Sequence, residues 1–487
     1  MTTAIAKGAL ALSPVLLAAG VASGAQSAPQ MHAVHDDAGR EYDAVEGHVR
    51  VPENRAKPGG RTIELAYLRV KSPAAEPGPP LVFLNGGPGQ PATPIADDPS
   101  ALGEWSELLG RADVVFLDQR GIGRSTPSLE LAFDESLPED FFLDGEAARQ
   151  YFLDAERRAR EHFKAQGVDL SAYDVLANAD DVDALRAALG VEQVDLLGYS
   201  FGTVLVTTVL RRHPEHVRRA VLVGTETVDE WGSLPTLLQT QIEKLSKLAA
   251  ADPGVSHAVP NLAGLLEQVL AKLEREPLFV DVLDRRTGER VTLPLGRFGL
   301  EFLLRIDLGD GNDFPLFPAL LWTLDQGRTD LVRPLLEKRY NQLARGVSAM
   351  ADTMRASYGP APWLRARIAA EREACGLHEA VNYFDLDLAE AWGVHPLGVL
   401  QEPFVCAVPA LFVSGTLDSN APPYQAEKLR YSFLDSAHLI VDWAGHEDLL
   451  SDPEVRLVIA RFLAGEDVRA ARVERPPPRF VAIRKQE

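Results

Sequence analysis

The stretch Val191-Glu-Gln-Val-Asp-Leu-Leu-Gly-Tyr-Ser-Phe-Gly-Thr-Val-Leu-Val-Thr-Thr-Val-Leu210 decides the fold. Its first seven residues form a short apolar run of the kind that fills a buried strand, and Thr203 to Leu210 read as a helix. Between them stands Gly198-Tyr199-Ser200-Phe201-Gly202. A strand that turns this sharply into a helix brings neighbouring backbone so close that only glycine fits on either side, and the serine hydroxyl is left exposed. The new helix then faces that hydroxyl with unpaired N–H groups and the positive end of its dipole. An ordinary glycine-rich turn of a nucleotide-binding fold is the competing reading, and the remaining motifs of the chain count against it.

Working outward, short apolar runs recur and each ends in a turn signal: 80–84, 113–117, 220–223, 410–413 and 438–441. Helical patterns at 145–166, 177–189, 201–212 and 452–464 alternate with them, which indicates parallel strands buried on both faces. Residues 45–51 and 61–70 read as an antiparallel pair in front, with the first strand starting near Val45. From about 228 to 400 the texture changes to Leu, Ala, Glu and Arg at helical spacing, over 235–250, 261–275, 326–346 and 364–374. A hairpin at 278–283 and 290–293 interrupts it. The expected organisation is an α/β core in two parts, 40–227 and 401–470, with a mainly helical cap (228–400) inserted between sheet strands. The charged, Pro-rich end, 471–487, reads as a surface tail.

The turns after the strands carry the chemistry. Asn85-Gly-Gly-Pro-Gly89 follows the strand 80–84, and its glycines let backbone N–H groups face the site. With the N–H of Phe201, that of Gly87 makes a candidate oxyanion hole. A phosphate cradle is excluded by the absence of GxxxxGK[ST]. Asp118-Gln-Arg-Gly-Ile-Gly-Arg-Ser125 reads as an ion-paired brace under that loop. In a serine hydrolase of this layout the chain order is Ser, acid, His. Asp418, in the turn Gly415-Thr-Leu-Asp418, is the candidate acid, with Glu226 or Asp229 as the alternative after strand 220–223. His446, in the loop after the last strand, is the candidate base, and His438 reads as a packed strand residue.

This motif set resembles the prolyl aminopeptidase and tripeptidyl aminopeptidase family of serine peptidases, over about 45–480. The resemblance implies an α/β-hydrolase fold, a helical cap over the triad Ser200, Asp418 and His446, no cofactor, and removal of residues from peptide N-termini. The prolyl enzymes usually carry His where Asn85 stands here. A free α-ammonium group needs a carboxylate, and Glu226, Asp229 and Glu230 at the start of the cap are the candidates. An esterase, lactonase or amide hydrolase with the same triad is the second reading. A non-catalytic hydrolase-like binding protein is the third, and an intact triad speaks against it.

The formal net charge of -21 argues against nucleic acid or an anionic membrane as partner. A peptide or a small amide or ester is the expected substrate. With 46% hydrophobic residues the chain has enough apolar material for a sizeable core. Lys7, the apolar run 8–19 and the small residues to Ala25 read as a signal peptide within 1–28, and imply a secreted or periplasmic enzyme. Cys375 and Cys406 are compatible with one disulfide or with two separate buried thiols. No CxxC, HExxH or local cluster of His with carboxylates marks a metal site.

Overall fold

The computed structural model describes residues 29–133, 136–228, 233–377, 380–382 and 387–484. The signal-peptide segment 1–28 lies outside the described residues. In chain order the strands are β1 (Gln30–His35), β2 (Glu41–Pro52), β3 (Thr62–Val70), β4 (Gly78–Leu84), β5 (Ala112–Leu117), β6 (Glu130–Leu131) and β7 (Val194–Tyr199). They continue with β8 (Val217–Val223), β9 (Leu278–Leu283), β10 (Arg290–Leu295), β11 (Val347–Ser348), β12 (Ala410–Gly415) and β13 (Ser436–Val441). Nine of them make one sheet in the order β1-β2-β3-β5-β4-β7-β8-β12-β13. The strands from β5 to β13 in that order run parallel, and β1, β2 and β3 are antiparallel to their neighbours.

The parallel strands are apolar throughout because both faces are covered. Alternate residues of β8 divide between two cores: Ala220 and Leu222 join one cluster, Val221 and Val223 the other. The helices Val175–Ala188 and Phe201–Arg212 cover the first face, and Pro453–Leu463 helps cover the second. The chain leaves β4 toward β5 on one side, while β7 lies on the other. The order therefore reverses between β4 and β7, and the crevice outside their carboxyl ends is where such a sheet holds a ligand.

Four sequence expectations change. The sheet starts at Gln30, not near Val45, because β1 buries only Val34 and so leaves no apolar run to read. The strand expected over 191–197 runs instead over Val194–Tyr199 and carries Gly198 and Tyr199 into the turn. The segment 228–400 divides between two cores. Its helices Pro235–Ala251, Leu262–Arg275, Arg297–Asp307, Phe317–Asp325 and Val332–Leu343 pack on one another. The later part, with Met350, Met354, Tyr358 and Trp392, packs into the core beside the sheet instead. The end of the chain is not a loose surface tail: Phe480 and Ile483 bury into the cap cluster, and the Ile483 N–H donates to Gly254 O at 3.0 Å. Charges between widely spaced apolar residues masked that pattern. Cys375 and Cys406 are two free buried thiols in different clusters. Among the described residues no helix is long and apolar enough to cross a membrane.

Candidate active site

Steric exclusion builds the centre of the site. Ser200 has φ 55° and ψ -126°, in a region that side chains avoid, and stands between β7 and the helix Phe201–Arg212. A Cβ on Gly202 would meet Leu84 O at 1.9 Å, and one on Gly198 would meet Gly202 O at 2.5 Å. Glycine is required at both positions by backbone, which no rotamer change relieves. The Ser200 N–H is anchored on Val223 O at 2.9 Å, so the turn is locked to β8.

His446 Nδ1 lies 2.7 Å from Asp418 Oδ2, and the other oxygen of Asp418 accepts the N–H groups of Asn420 and Ala421 at 2.9 and 2.8 Å. Tyr199 lies over the imidazole with ring centroids 5.1 Å apart, and its hydroxyl donates to His446 O at 3.2 Å. Burial works against a charged His446, but the Asp418 carboxylate outweighs it and holds the imidazole at about 9.

The serine turns to a different partner. Its hydroxyl donates to Glu226 Oε1 at 3.1 Å, and the bond expected between Ser200 and His446 is not made. A carboxylate is a strong acceptor for a hydroxyl. Burial raises the Glu226 pKa against the pull of His446. Its backbone N–H is held by Thr203 Oγ1 at 2.9 Å, which fixes the residue over the first turn of the helix. Of the three candidate ammonium receptors, Glu226 is beside the nucleophile; Asp229 and Glu230 lie outside the described residues. His438 faces Glu427 and Ser414, at 2.5 and 2.9 Å, away from the serine.

Gly86 and Gly87 approach the nucleophile from the β4 side; a Cβ on Gly86 would meet Ser200 Cβ at 2.8 Å. Phe201 opens its helix, so its N–H has no partner one turn earlier. The Asp118 carboxylate gathers the N–H groups of Ala92, Thr93 and Arg124 at 2.7, 2.9 and 2.8 Å. Arg120 grips both oxygens of Asp181 at 2.6 and 2.7 Å. Asp118 braces the segment after the loop, Arg120 ties its own turn to Asp181, Glu53 O and Ala172 O, and neither lines the cavity.

The cavity holds about 740 Å³ and lies between this sheet edge and the cap. Sequence reasoning missed part of its lining. Arg355 donates to Gly87 O at 3.0 Å, and Asp310 and Glu447 add carboxyls to the same space. Burial pushes Glu447 up to about 7, opposed by His446 and helped by Asp310. Arg355 and Asp310 lie in no motif, so no local signal marked them, whereas Glu447 directly follows the candidate base in Gly445-His446-Glu447. The cap loop at Gly309 also accepts the His446 N–H at 2.8 Å, tying the candidate base to the insertion.

A half-buried serine on a strained turn beside an Asp-bound histidine, at the switch point of a parallel sheet, is the layout of an α/β hydrolase. The chain belongs to the alpha/beta hydrolase fold family, whose profile matches residues 79–453. It is similar to the tripeptidyl aminopeptidase of Streptomyces coelicolor, 32% identical over 188 residues, or 36% of this chain and 34% of that one. It is also similar to serine protease Hip1 of Mycobacterium tuberculosis, 30% identical over 194 residues, 37% of this chain and 36% of that one. A third relative is carboxylesterase B of Mycobacterium tuberculosis, 34% identical over 185 residues, 36% and 35% of the two chains. The similarity thus spans about a third of the length of these relatives.

Proposed function

We propose that this α/β hydrolase is an exported serine exopeptidase that cleaves peptides from a free N-terminus through an acyl-enzyme. The observation that carries the reading is the Glu226 carboxylate 3.1 Å from Ser200 Oγ. In an α-amino acyl group the ammonium nitrogen is two bonds from the carbonyl carbon. A receptor carboxylate beside the nucleophile therefore suits release of one residue at a time. In a tripeptidyl substrate the ammonium would lie about 7 Å further out, at some 3.3–3.6 Å of chain per residue.

Substrate binding then assembles the catalytic groups. The α-ammonium takes over Glu226, which frees the Ser200 hydroxyl to turn to His446 and reduces the negative charge that favours the imidazolium. Neutral His446 accepts the serine proton as Ser200 Oγ bonds to the carbonyl carbon. The oxyanion draws on the N–H groups of Gly87 and Phe201. His446, oriented by Asp418, protonates the leaving amine, and water repeats the sequence to release the acid.

The test is a panel of aminoacyl-naphthylamides and tripeptidyl-naphthylamides, with free and blocked N-termini, beside nitrophenyl esters. Free aminoacyl substrates should be preferred, and Glu226→Gln should lower their kcat/KM by about 100-fold, the worth of a buried charged contact, with far less effect on blocked esters. A preference for tripeptidyl substrates would replace the one-residue reading, and a preference for esters would replace the peptidase one. Export is checked by mass spectrometry of protein from the producing cell. Cleavage near Ala25 is expected, and an intact Met1 on a cytosolic product would overturn it.

A further inference from the structure

The helix Phe201–Arg212, which begins at the nucleophile, ends about 18 Å away at the opposite edge of the sheet. Its end runs into the turn Pro214–His216, so His213 and His216 fall three residues apart on one side of the chain. Across from them the helix Val175–Ala188 presents Asp180 and Asp183, also three residues apart and hence on one face. The sequence offered no local cluster of His with carboxylates, because the two pairs lie some thirty residues apart.

From this juxtaposition we infer that Asp183, His213 and His216 form a binding site for a divalent transition-metal ion of the zinc type. One candidate ligand atom from each of the three lies within 4.8 Å of the others. A tetrahedral site with metal–nitrogen bonds of about 2.1 Å needs ligand separations of about 3.3 Å, within reach of small side-chain rotations. The His213 and His216 rings are nearly parallel, 12° apart with centroids at 6.2 Å. His213 Nε2 is 2.8 Å from Asp180 Oδ1, the kind of carboxylate contact that orients a metal-binding imidazole.

The second observation concerns His216. Its Nδ1 is shut off from solvent and has no hydrogen-bond partner, although Asp183 Oδ1 lies only 2.6 Å away. The two atoms stand as a close ion pair, on a His216 side chain that is 32% exposed. A zinc ion would take the place of the proton such a pair shares, once the Asp183 carboxylate turns Oδ2 toward the ring and the ligand atoms open to about 3.3 Å. Arg186 donates to Asp183 Oδ1 at 2.7 Å, and Arg212 donates to both oxygens of Asp180 at 2.6 and 2.8 Å. The arginines leave Asp183 Oδ2 for the metal and keep both carboxylates ionised. The exposed Glu215 carboxylate, 4.0 Å from His216 Nδ1, faces the same nitrogen. The ion would clamp the far end of the nucleophile helix to its neighbour, as a structural site remote from the cavity.

The experiment uses the full chain, stripped with a chelator, dialysed against Zn²⁺ alone and assayed for bound metal, with thermal unfolding followed in parallel. One zinc per chain is expected, with a rise in the unfolding midpoint. His216→Ala should weaken binding at least tenfold and abolish the thermal shift, and Asp183→Asn should do the same if the histidine variant does not fold. His446→Ala, which alters the imidazole of the cavity, should bind zinc as the parent does. Absence of stoichiometric zinc in the parent chain, or its retention by the His213→Ala/His216→Ala double variant, would overturn the site.

Discussion

The two walls of the cavity are built on different physical terms. On the sheet side every position is set by backbone: strands buried on both faces end in turns where Gly86, Gly198 and Gly202 admit no Cβ. On the cap side the wall consists of long charged side chains on helices, among them Lys338 and Arg339, paired with Asp307, and Arg305, which donates to Ser233. One wall cannot shift without breaking the fold, whereas the other can be rebuilt by substitution. The reaction is therefore assigned to the sheet edge and the choice of substrate to the cap, with Glu226 and Arg355 at the seam.

The largest effect expected is at the sheet edge. Ser200→Ala should lower kcat by about 10⁴- to 10⁶-fold and leave the circular dichroism spectrum unchanged. Residual turnover well above that level would move the chemistry off this wall. Next, Gly202→Ala should destabilise the protein by about 3 kcal/mol or more, because the added methyl meets the Leu84 carbonyl rather than a movable side chain. Urea unfolding measures it, and a loss under 1 kcal/mol would show that the rigid wall yields after all.

Arg355 tests the seam. Arg355→Ala removes a charged donor from Gly87 O and should cost about 10- to 100-fold in kcat with KM little changed, partly restored by Lys. A change confined to KM would move Arg355 from the reaction to substrate binding. On the cap itself Ile483→Val should cost only about 1 kcal/mol in thermal unfolding and leave kcat intact.

The smallest shift is in pH. The base must be neutral to act, and Asp418 holds His446 at about 9 against its burial, so kcat/KM should rise with pH toward a limb near 9. Glu226 adds to the charge that favours the imidazolium, so Glu226→Gln should move the limb to lower pH. Blocked esters are the substrate of choice, since they do not use the ammonium contact. A limb that stays in place would separate Glu226 from His446.

What was legible in the sequence follows from how each feature is enforced. The elbow around Ser200, the parallel strands, and Asp418 and His446 in turns after strands are written in contiguous residues. Burial of a strand on both faces demands an apolar run, and close backbone approach demands glycine, at fixed offsets along the chain. The tertiary structure alone decided the rest. The hydrogen bond from Ser200 to Glu226 and the hold of Asp418 on His446 join residues 26 and 28 positions apart, respectively. Arg355 reaches Gly87 from a helix more than 250 residues later, and Phe480 and Ile483 return to the cap from the end of the chain. Asp183 meets His216 only because two helices pack side by side. Such contacts join one charge or one apolar group to another across long stretches of chain, with no periodicity or spacing to announce them, so they exist only once the chain has folded.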